Sequence, residues 1–318
     1  MGLPKELQLA IDSFTDDATT ICDELIKKQQ SQSLPERIYH YTNEGGLRGI
    51  LESGKVRRTS FVNLNDPSEI KYGVSLAADI LNELSVHGSP IEKLFAKIFE
   101  TSVLGELAAV GHFFISSFST DNDELGQWRA YADDGHGYVL EFDTKILQNI
   151  LDIKKDSTDG LFASFHIDYR KDYIKDYQRQ LVEKAFALVS CVSKVRVFNV
   201  QQDYLVVLSY TLASHVIYTS LHFKHSGYRP EQEYRFLQVS NFKAPLAMSH
   251  YFRKDELVKY TEMNWVDGEI SALTGVSIGP AADTEKSKKY VEDCLEVFLR
   301  KSVPISFSGI PYRSSRRS

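Results

Sequence analysis

Two glutamates and an arginine alternate along the stretch YRPEQEYRFL, residues 228–237. Alternate residues of a β-strand share a face, so Glu231, Glu233 and Arg235 would lie on one side and the two aromatic residues on the other. Carboxylates this close raise one another's proton affinity, and a neighbouring guanidinium can orient one of them for acid–base chemistry. A solvent-exposed strand face with an ordinary Glu–Arg pair would give the same pattern.

A histidine in an earlier predicted strand is the second candidate for chemistry. His40 lies between two tyrosines in RIYHYT, and a short amphipathic helix follows. A histidine changes charge near neutral pH and can donate or accept a hydrogen bond, so it suits proton transfer or ligand binding. A polar core residue without a function would also fit this position.

Several common site motifs are missing from the sequence. It contains no GxGxxG after a strand, no GxxxxGK[ST] phosphate loop and no HExxH. His222 and His225 are three residues apart, but no third ligand accompanies them, so we do not expect a metal site. The three cysteines form no CxxC pair or disulfide framework. These absences argue against a metalloenzyme and against a Rossmann-type oxidoreductase.

The composition is that of a globular protein, with 42% hydrophobic and 25% charged residues among 318. The net charge of −6 provides no general attraction for nucleic acid. No apolar run is long enough to cross a bilayer, and no basic segment followed by an apolar run marks a signal peptide. We therefore expect a soluble, cytoplasmic protein without a membrane partner.

Mixed helical and strand patterns surround the candidate residues. Apolar residues at helical spacing predict an amphipathic helix over residues 5–28, and a polar stretch follows it. Asn43 and Gly54 are typical caps for the short helix after the histidine strand. Strands and helices then follow without regular βαβ alternation, which predicts an α+β fold with a mainly antiparallel central sheet flanked by helices. We expect residues 1–30 to form an accessory helix and residues 35–318 a single α+β domain of catalytic type.

Most of the chain resembles a bacterial family catalogued as domain of unknown function 2971. The resemblance covers roughly residues 38–313 and rests on YHYTNEGGLRGILESGK, NLNDPSE, SSFSTDNDELGQWRAYADDGHGYVLEFD, RPEQEYRFL, VSIGP and ISFSGIPYR. The order of a first-strand histidine, an SSFS strand, an aromatic-bearing helix and a late Glu-x-Glu strand also resembles the layout of ADP-ribosyltransferases. The signature of that family runs His or Arg, then Tyr or Ser-x-Ser, then Glu.

The second resemblance implies an ADP-ribosyltransferase-like fold and an enzyme that uses NAD as a substrate, without a metal. By this resemblance Glu233 matches the catalytic glutamate, and Glu231 would orient the acceptor or assist its deprotonation. His40 would bind the adenosine-side ribose, while the backbone near Tyr41 and Thr42 would bind the nicotinamide amide. The acceptor would be a protein or a nucleic acid, since such bacterial enzymes often act as toxins or defence effectors.

Further residues would complete the NAD site implied by the resemblance. Tyr41, Trp128 or Tyr131 would supply the aromatic ring on which nicotinamide stacks. Ser119 belongs to the SSFS strand, and Arg235 would orient a catalytic glutamate.

Two other functions would use the same residues. A metal-independent nuclease would employ His40, His225 and Glu231 or Glu233 as acid and base. A non-catalytic nucleotide-binding sensor or scaffold would bind a ligand without turnover and offer its N-terminal helix to a partner. The order of the motifs favours NAD-dependent ADP-ribosyl transfer over both.

Overall fold

The computed structural model describes residues 3–64, 68–103, 112–153, 161–193, 195, 197–240, 248–300 and 302–314. The middle of the NLNDPSE motif, residues 65–67, lies outside the described residues. The chain alternates between two compact units. Unit 1 comprises Met1–Gln32, Phe61–Phe113 and Ile167–Ser226, and unit 2 comprises Ser33–Ser60, Phe114–His166 and Gly227–Ser318.

Helices and strands alternate irregularly along the described residues. The α-helices are α1 (Lys5–Gln30), α2 (Glu44–Ser53), α3 (Ser68–Ser85), α4 (Pro90–Ile98), α5 (Leu125–Tyr131), α6 (Thr144–Ile153), α7 (Lys171–Leu188), α8 (Phe198–Ser220) and α9 (Thr284–Cys294). The strands are β1 (Arg37–Thr42), β2 (Lys55–Ser60), β3 (Phe113–Ser119), β4 (Tyr138–Asp143), β5 (Leu161–His166), β6 (Glu233–Val239), β7 (Ser249–Arg253), β8 (Glu256–Asn264), β9 (Val266–Asp267), β10 (Ile270–Ser271), β11 (Leu273–Ile278) and β12 (Ile305–Phe307).

Unit 1 is helical, and α8 contacts α1, α3, α4 and α7 within it. The predicted N-terminal helix exists, and its apolar residues pack in the core of this unit. Those residues are at most 4% exposed: Leu7, Ile11, Phe14, Ala18, Ile21 and Leu25. Among the described residues, none of the helices combines the length and apolar character that a bilayer crossing requires.

Unit 2 contains a ten-stranded sheet within the described part of the chain. Its path runs β12-β11-β4-β1-β3-β2-β8-β7, and β6 pairs with both β3 and β5. β11 and β12 are parallel, whereas β1–β4, β2–β8 and β5–β6 are antiparallel. The helices α2, α6 and α9 contact the sheet. The predicted α+β fold with a mainly antiparallel sheet flanked by helices is confirmed at this level.

The helix α2 connects β1 to β2, and its two caps define its length. The Asn43 side chain accepts a hydrogen bond from the Gly46 amide at 2.9 Å, which satisfies a free N–H of the first turn. Gly54 ends the helix with φ 68°, and its amide donates to the Ile50 carbonyl at 3.1 Å. Both predicted caps are confirmed. Leu47 and Ile50 on this helix are buried in the core of unit 2.

The strand β3 changes its partner along its length. Near its start, Phe114 and Ile115 pair with β2, whereas at its end Ser119 pairs with Tyr39 of β1. β1 pairs with β4 over six residues on its other side. His40, the residue after Tyr39, therefore lies where β1 is fully paired on one edge and diverges from β3 on the other.

Candidate functional site

The site predicted from sequence lies in unit 2, where β1, β3 and β6 meet. His40 is half-buried between β1 and β3, and its ring lies 5.4 Å from the Phe118 ring, centroid to centroid. Its Nδ1 is 3.2 Å from the carbonyl oxygen of Ser117. Because a carbonyl only accepts, Nδ1 must carry the proton of this hydrogen bond. Thr42, two residues further on, is buried at the end of β1.

The environment of His40 keeps its ring uncharged at neutral pH. Burial disfavours the imidazolium and lowers the pKa of His40, although the Ser117 carbonyl opposes this shift. With Nδ1 protonated, Nε2 of the neutral ring presents a lone pair. No described residue donates a hydrogen bond to this nitrogen. His40 is therefore a hydrogen-bond acceptor with fixed orientation and an available nitrogen.

Tyr41 and Trp128 are held inside the fold rather than offered to a ligand. The Tyr41 hydroxyl donates to the Asp121 carbonyl at 2.9 Å and accepts from the Glu124 amide at 3.0 Å. Its ring meets Trp128 edge to face, 5.1 Å between centroids. Trp128 is 0% exposed, so neither of its ring faces is open to solvent. Burial raises the pKa of Tyr41, which keeps the hydroxyl protonated.

Asp123 organises the loop between β3 and α5, a role that was not predicted from the sequence. Its carboxylate accepts hydrogen bonds from Trp128 Nε1 at 2.8 Å, from the Ser308 hydroxyl at 2.5 Å and from the Gly309 amide at 2.9 Å. The adjacent Glu124 caps α5. The run DNDE ahead of an aromatic helix was the available signal, because acidic residues before a helix are typical caps.

Ser119 joins the end of β3 to the residues before β6. Its hydroxyl donates to the Glu231 carbonyl at 2.7 Å and accepts from the Asp121 amide at 3.0 Å. The Thr120 amide donates to the Gln232 carbonyl at 2.9 Å. Ser119 is 2% exposed, so it positions the Glu231 segment through the main chain.

Glu231 and Tyr131 form the open part of this region. Glu231 is half-buried at the end of the short helix Ser226–Glu231, and the Tyr131 hydroxyl lies 3.4 Å from its Oε1. Tyr131 is 36% exposed. Gln232, between the two glutamates, has φ 43°, a left-handed conformation that interrupts strand alternation. The two glutamates therefore do not belong to one continuous strand face.

Glu233 and Arg235 form a buried ion pair on β6. Arg235 Nε is 2.6 Å from Glu233 Oε1, and Nη2 is 3.1 Å from Oε2, which is a bidentate arrangement. The residues are 5% and 2% exposed, so the interpretation as an ordinary solvent-exposed pair is wrong. Tyr234 and Phe236, which the alternation placed together on the other face, are buried in the core of unit 2.

His40 and Glu233 project from different faces of the sheet. His40 contacts Phe118, and Phe118 contacts Phe236 with 5.6 Å between ring centroids. Glu233 is three residues from Phe236 along β6, so its side chain leaves the opposite face. The structure groups Glu233 with Arg235, Ser119 with Glu231, and Tyr41 with Trp128. It does not bring His40 and Glu233 into one contact cluster.

The described residues contain no group of three or more His, Cys, Asp or Glu side chains arranged to hold a metal ion. In unit 1, His222 Nδ1 is instead hydrogen-bonded to Gln29 Oε1. The described side chains of the site in unit 2 offer the His40 imidazole, the carboxylates of Glu231 and Glu233, and the Arg235 guanidinium.

Comparison with known proteins gives a family without a stated activity. The family model described as "Protein of unknown function (DUF2971)" matches residues 127–236, about a third of the chain. This match confirms the resemblance to that family. It includes most of α5, with Trp128 and Tyr131, the helix end at Glu231 and the start of β6 at Glu233. Searches among curated proteins and among solved structures find no match.

Proposed function

We propose that the protein is an NAD-dependent ADP-ribosyltransferase whose unit 2 has the fold of that family. Its acceptor is a protein or a nucleic acid, as for bacterial toxins and defence effectors. In the reaction, the bond between nicotinamide and ribose breaks and nicotinamide leaves with the electron pair. A nucleophilic atom of the acceptor forms the new bond to the ribose carbon, and the acceptor loses a proton.

The state of His40 carries this proposal. Nε2 is a neutral acceptor, and Nδ1 is committed to the Ser117 carbonyl at 3.2 Å. A hydroxyl of the adenosine-side ribose is a donor that matches such an acceptor. Glu233, which projects from the other face of the sheet, is assigned to the nicotinamide-side ribose, so the two side chains contact different sugars of NAD. Because the ring is already oriented, a ligand would not have to supply the free energy for ordering it. A histidine in the first strand is also the start of the ADP-ribosyltransferase signature.

The two glutamates supply negative charge for the transition state of this reaction. Loss of nicotinamide passes through an oxocarbenium-like state, which a fixed carboxylate beside the ribose stabilises. We assign this role to Glu233, held by Arg235, and the acceptor side to Glu231, beside the Tyr131 hydroxyl. Tyr131 is also the exposed aromatic candidate for nicotinamide, because Tyr41 and Trp128 are buried.

Binding is tested by thermal denaturation with and without millimolar NAD, followed by measurement of nicotinamide release over time. A ligand that binds the native state raises the melting temperature. In His40→Asn the amide nitrogen can still donate to Ser117, but the acceptor at Nε2 is lost. We expect this variant to keep its melting temperature and to bind NAD about two- to tenfold more weakly. The control is His250→Asn on β7, where the histidine is exposed.

The outcomes separate the proposal from its rivals. No thermal shift and no nicotinamide release would refute the proposed function. Cleavage of RNA or DNA without NAD, in the presence of a chelator, would instead establish a nuclease. A thermal shift that His40→Asn reduces, without any turnover, would establish a nucleotide-binding sensor.

The roles of the two glutamates are tested with single amide substitutions. We expect Glu233→Gln to slow nicotinamide release by about 10²-fold or more, as for loss of a group that stabilises transition-state charge. Glu231→Gln should slow transfer to the acceptor while leaving release into water less affected. Exposed Glu269→Gln is the control. If Glu231→Gln abolishes release and folded Glu233→Gln does not, Glu231 is the catalytic carboxylate and Glu233 is structural.

A further inference from the structure

A small open cavity in unit 2 is lined by residues that the proposed function does not use. Its volume is about 220 Å³, and it is lined by His136, residues 280–282 and residues 312–314. Pockets for whole small-molecule ligands are usually about 300–1,000 Å³. This cavity therefore suits one chemical group, with the rest of a ligand outside.

Hydrogen bonds hold the segments around the cavity in place. The Ala281 amide donates to the Gly135 carbonyl at 2.9 Å, and the Gly279 amide donates to the Gly137 carbonyl at 3.0 Å. These bonds join the turn before α9 to the loop before β4. Gly135 has φ 86°, and a Cβ there would lie 3.1 Å from the Tyr312 ring, so glycine permits this close approach.

The segment that carries Arg313 is attached on both sides of that residue. The Tyr312 hydroxyl donates to Asp134 Oδ1 at 2.7 Å, and the Ser314 hydroxyl donates to Asp134 Oδ2 at 2.6 Å. Both oxygens of the Asp134 carboxylate are therefore engaged by residues that flank Arg313. These anchors fix the backbone of Arg313 at the edge of the cavity and leave its side chain exposed.

The Asp134 carboxylate beside the cavity is paired with Arg129, whose Nε lies 3.7 Å from its Oδ1, and not with the basic side chains of the lining. Neither Arg313 nor His136 forms an ion pair within the described residues. Asp283, the acidic residue that follows the 280–282 turn, caps α9 by accepting from the Lys286 amide at 3.1 Å. The lining thus offers a guanidinium and an imidazole, both suited to an oxyanion.

We infer that this cavity binds the phosphate group of a small phosphomonoester, with Arg313 as the main contact. A guanidinium matches the paired oxygens of a phosphate group, and the cavity is large enough to admit that group beside Arg313. NAD carries a diphosphate bridge and no phosphomonoester, so the inference does not depend on the proposed transferase activity. It assigns a second ligand site to unit 2.

The inference is tested by calorimetric titration with inorganic phosphate and with a nucleoside 5′-monophosphate, at constant ionic strength. We expect saturable binding of both, weakened about tenfold or more by Arg313→Gln, because a charge-assisted contact is lost. The control is Arg48→Gln on the exposed face of α2. His40→Asn should leave phosphate binding unchanged.

The possible binding results either support or overturn the proposed phosphate site. Binding of the nucleotide but not of phosphate, abolished by Arg313→Gln, would still support the inference and identify a nucleotide as the source of the group. The absence of saturable binding, or binding that Arg313→Gln leaves unchanged, would overturn it. Binding that only a phosphoserine peptide shows would replace the small molecule by a phosphorylated protein and also overturn the inference as stated.

Discussion

Replacement of Asp123 by alanine is expected to destabilise unit 2, because three donors share this carboxylate. The most costly loss is at Trp128, which is 0% exposed and whose indole N–H would keep no acceptor. A buried donor without a partner costs about 1–3 kcal/mol. Gly309 is exposed and Ser308 half-buried, so water can replace their lost bonds at about 0.5–1 kcal/mol in total.

The free energy of unfolding should therefore fall by about 1.5–4 kcal/mol. For a unit of the length of unit 2, that change lowers the melting temperature by roughly 3–16 °C. The assay is urea denaturation followed by circular dichroism. Asp203→Ala on α8 is the control, because Asp203 is exposed there.

A double-mutant cycle with Trp128→Phe isolates the indole hydrogen bond. Phenylalanine fills most of the tryptophan site but has no N–H, so removing Asp123 should cost less in that background. We expect a coupling energy of about 1–2 kcal/mol. An equal cost of Asp123→Ala in both backgrounds would refute the reasoning, since the carboxylate would then act through Ser308 and Gly309 alone.

Two further predictions concern pH and backbone conformation. Burial lowers the pKa of His40 in the folded protein, so the unfolded chain binds more protons below neutral pH. The free energy of unfolding should therefore fall as the pH drops from about 7.5 through the ordinary imidazole pKa of about 6.5 towards the lowered value. His40→Asn should flatten this decline in denaturation curves at pH 7.5 and 5.5; an unchanged slope would contradict the lowered pKa. Gly54→Ala should destabilise by about 1 kcal/mol or more, because φ is 68° and a Cβ would lie 2.6 Å from Val266. The control is Gly49→Ala on α2, where a Cβ would meet no other atom, so this variant should be neutral or stabilising. Equal changes in stability at Gly54 and Gly49 would show that the left-handed backbone and the Val266 contact are not the cause.

Local signals predicted the elements around the site correctly. Asn43 and Gly54 act through neighbouring atoms of the same chain segment, so their cap roles could be inferred from residue type and position. The burial of Tyr234 and Phe236 followed from strand alternation for the same reason. These predictions needed no knowledge of the rest of the fold.

Features that depend on distant segments could not be predicted in this way. The alternation of β6 left open whether Glu233 and Arg235 face solvent, because sequence spacing does not tell whether the second face of a strand is covered. The roles of Tyr41 and Trp128 depend on Asp121, Asp123 and Glu124, which reach them only in the folded chain. The β7–β8 hairpin also went unpredicted, because its many exposed polar residues give a weak apolar pattern.

The way in which the chain alternates between the two units has a consequence for its synthesis. Each unit is assembled from three separate segments, and β11 and β12 of unit 2 lie near the C-terminus. β4 is made early, yet its partner β11 leaves the ribosome more than a hundred residues later. During synthesis, the edge of β4 that pairs with β11 in the folded protein therefore stays unpaired until β11 has been made. An unpaired strand edge can pair with the wrong strand and can be bound by chaperones.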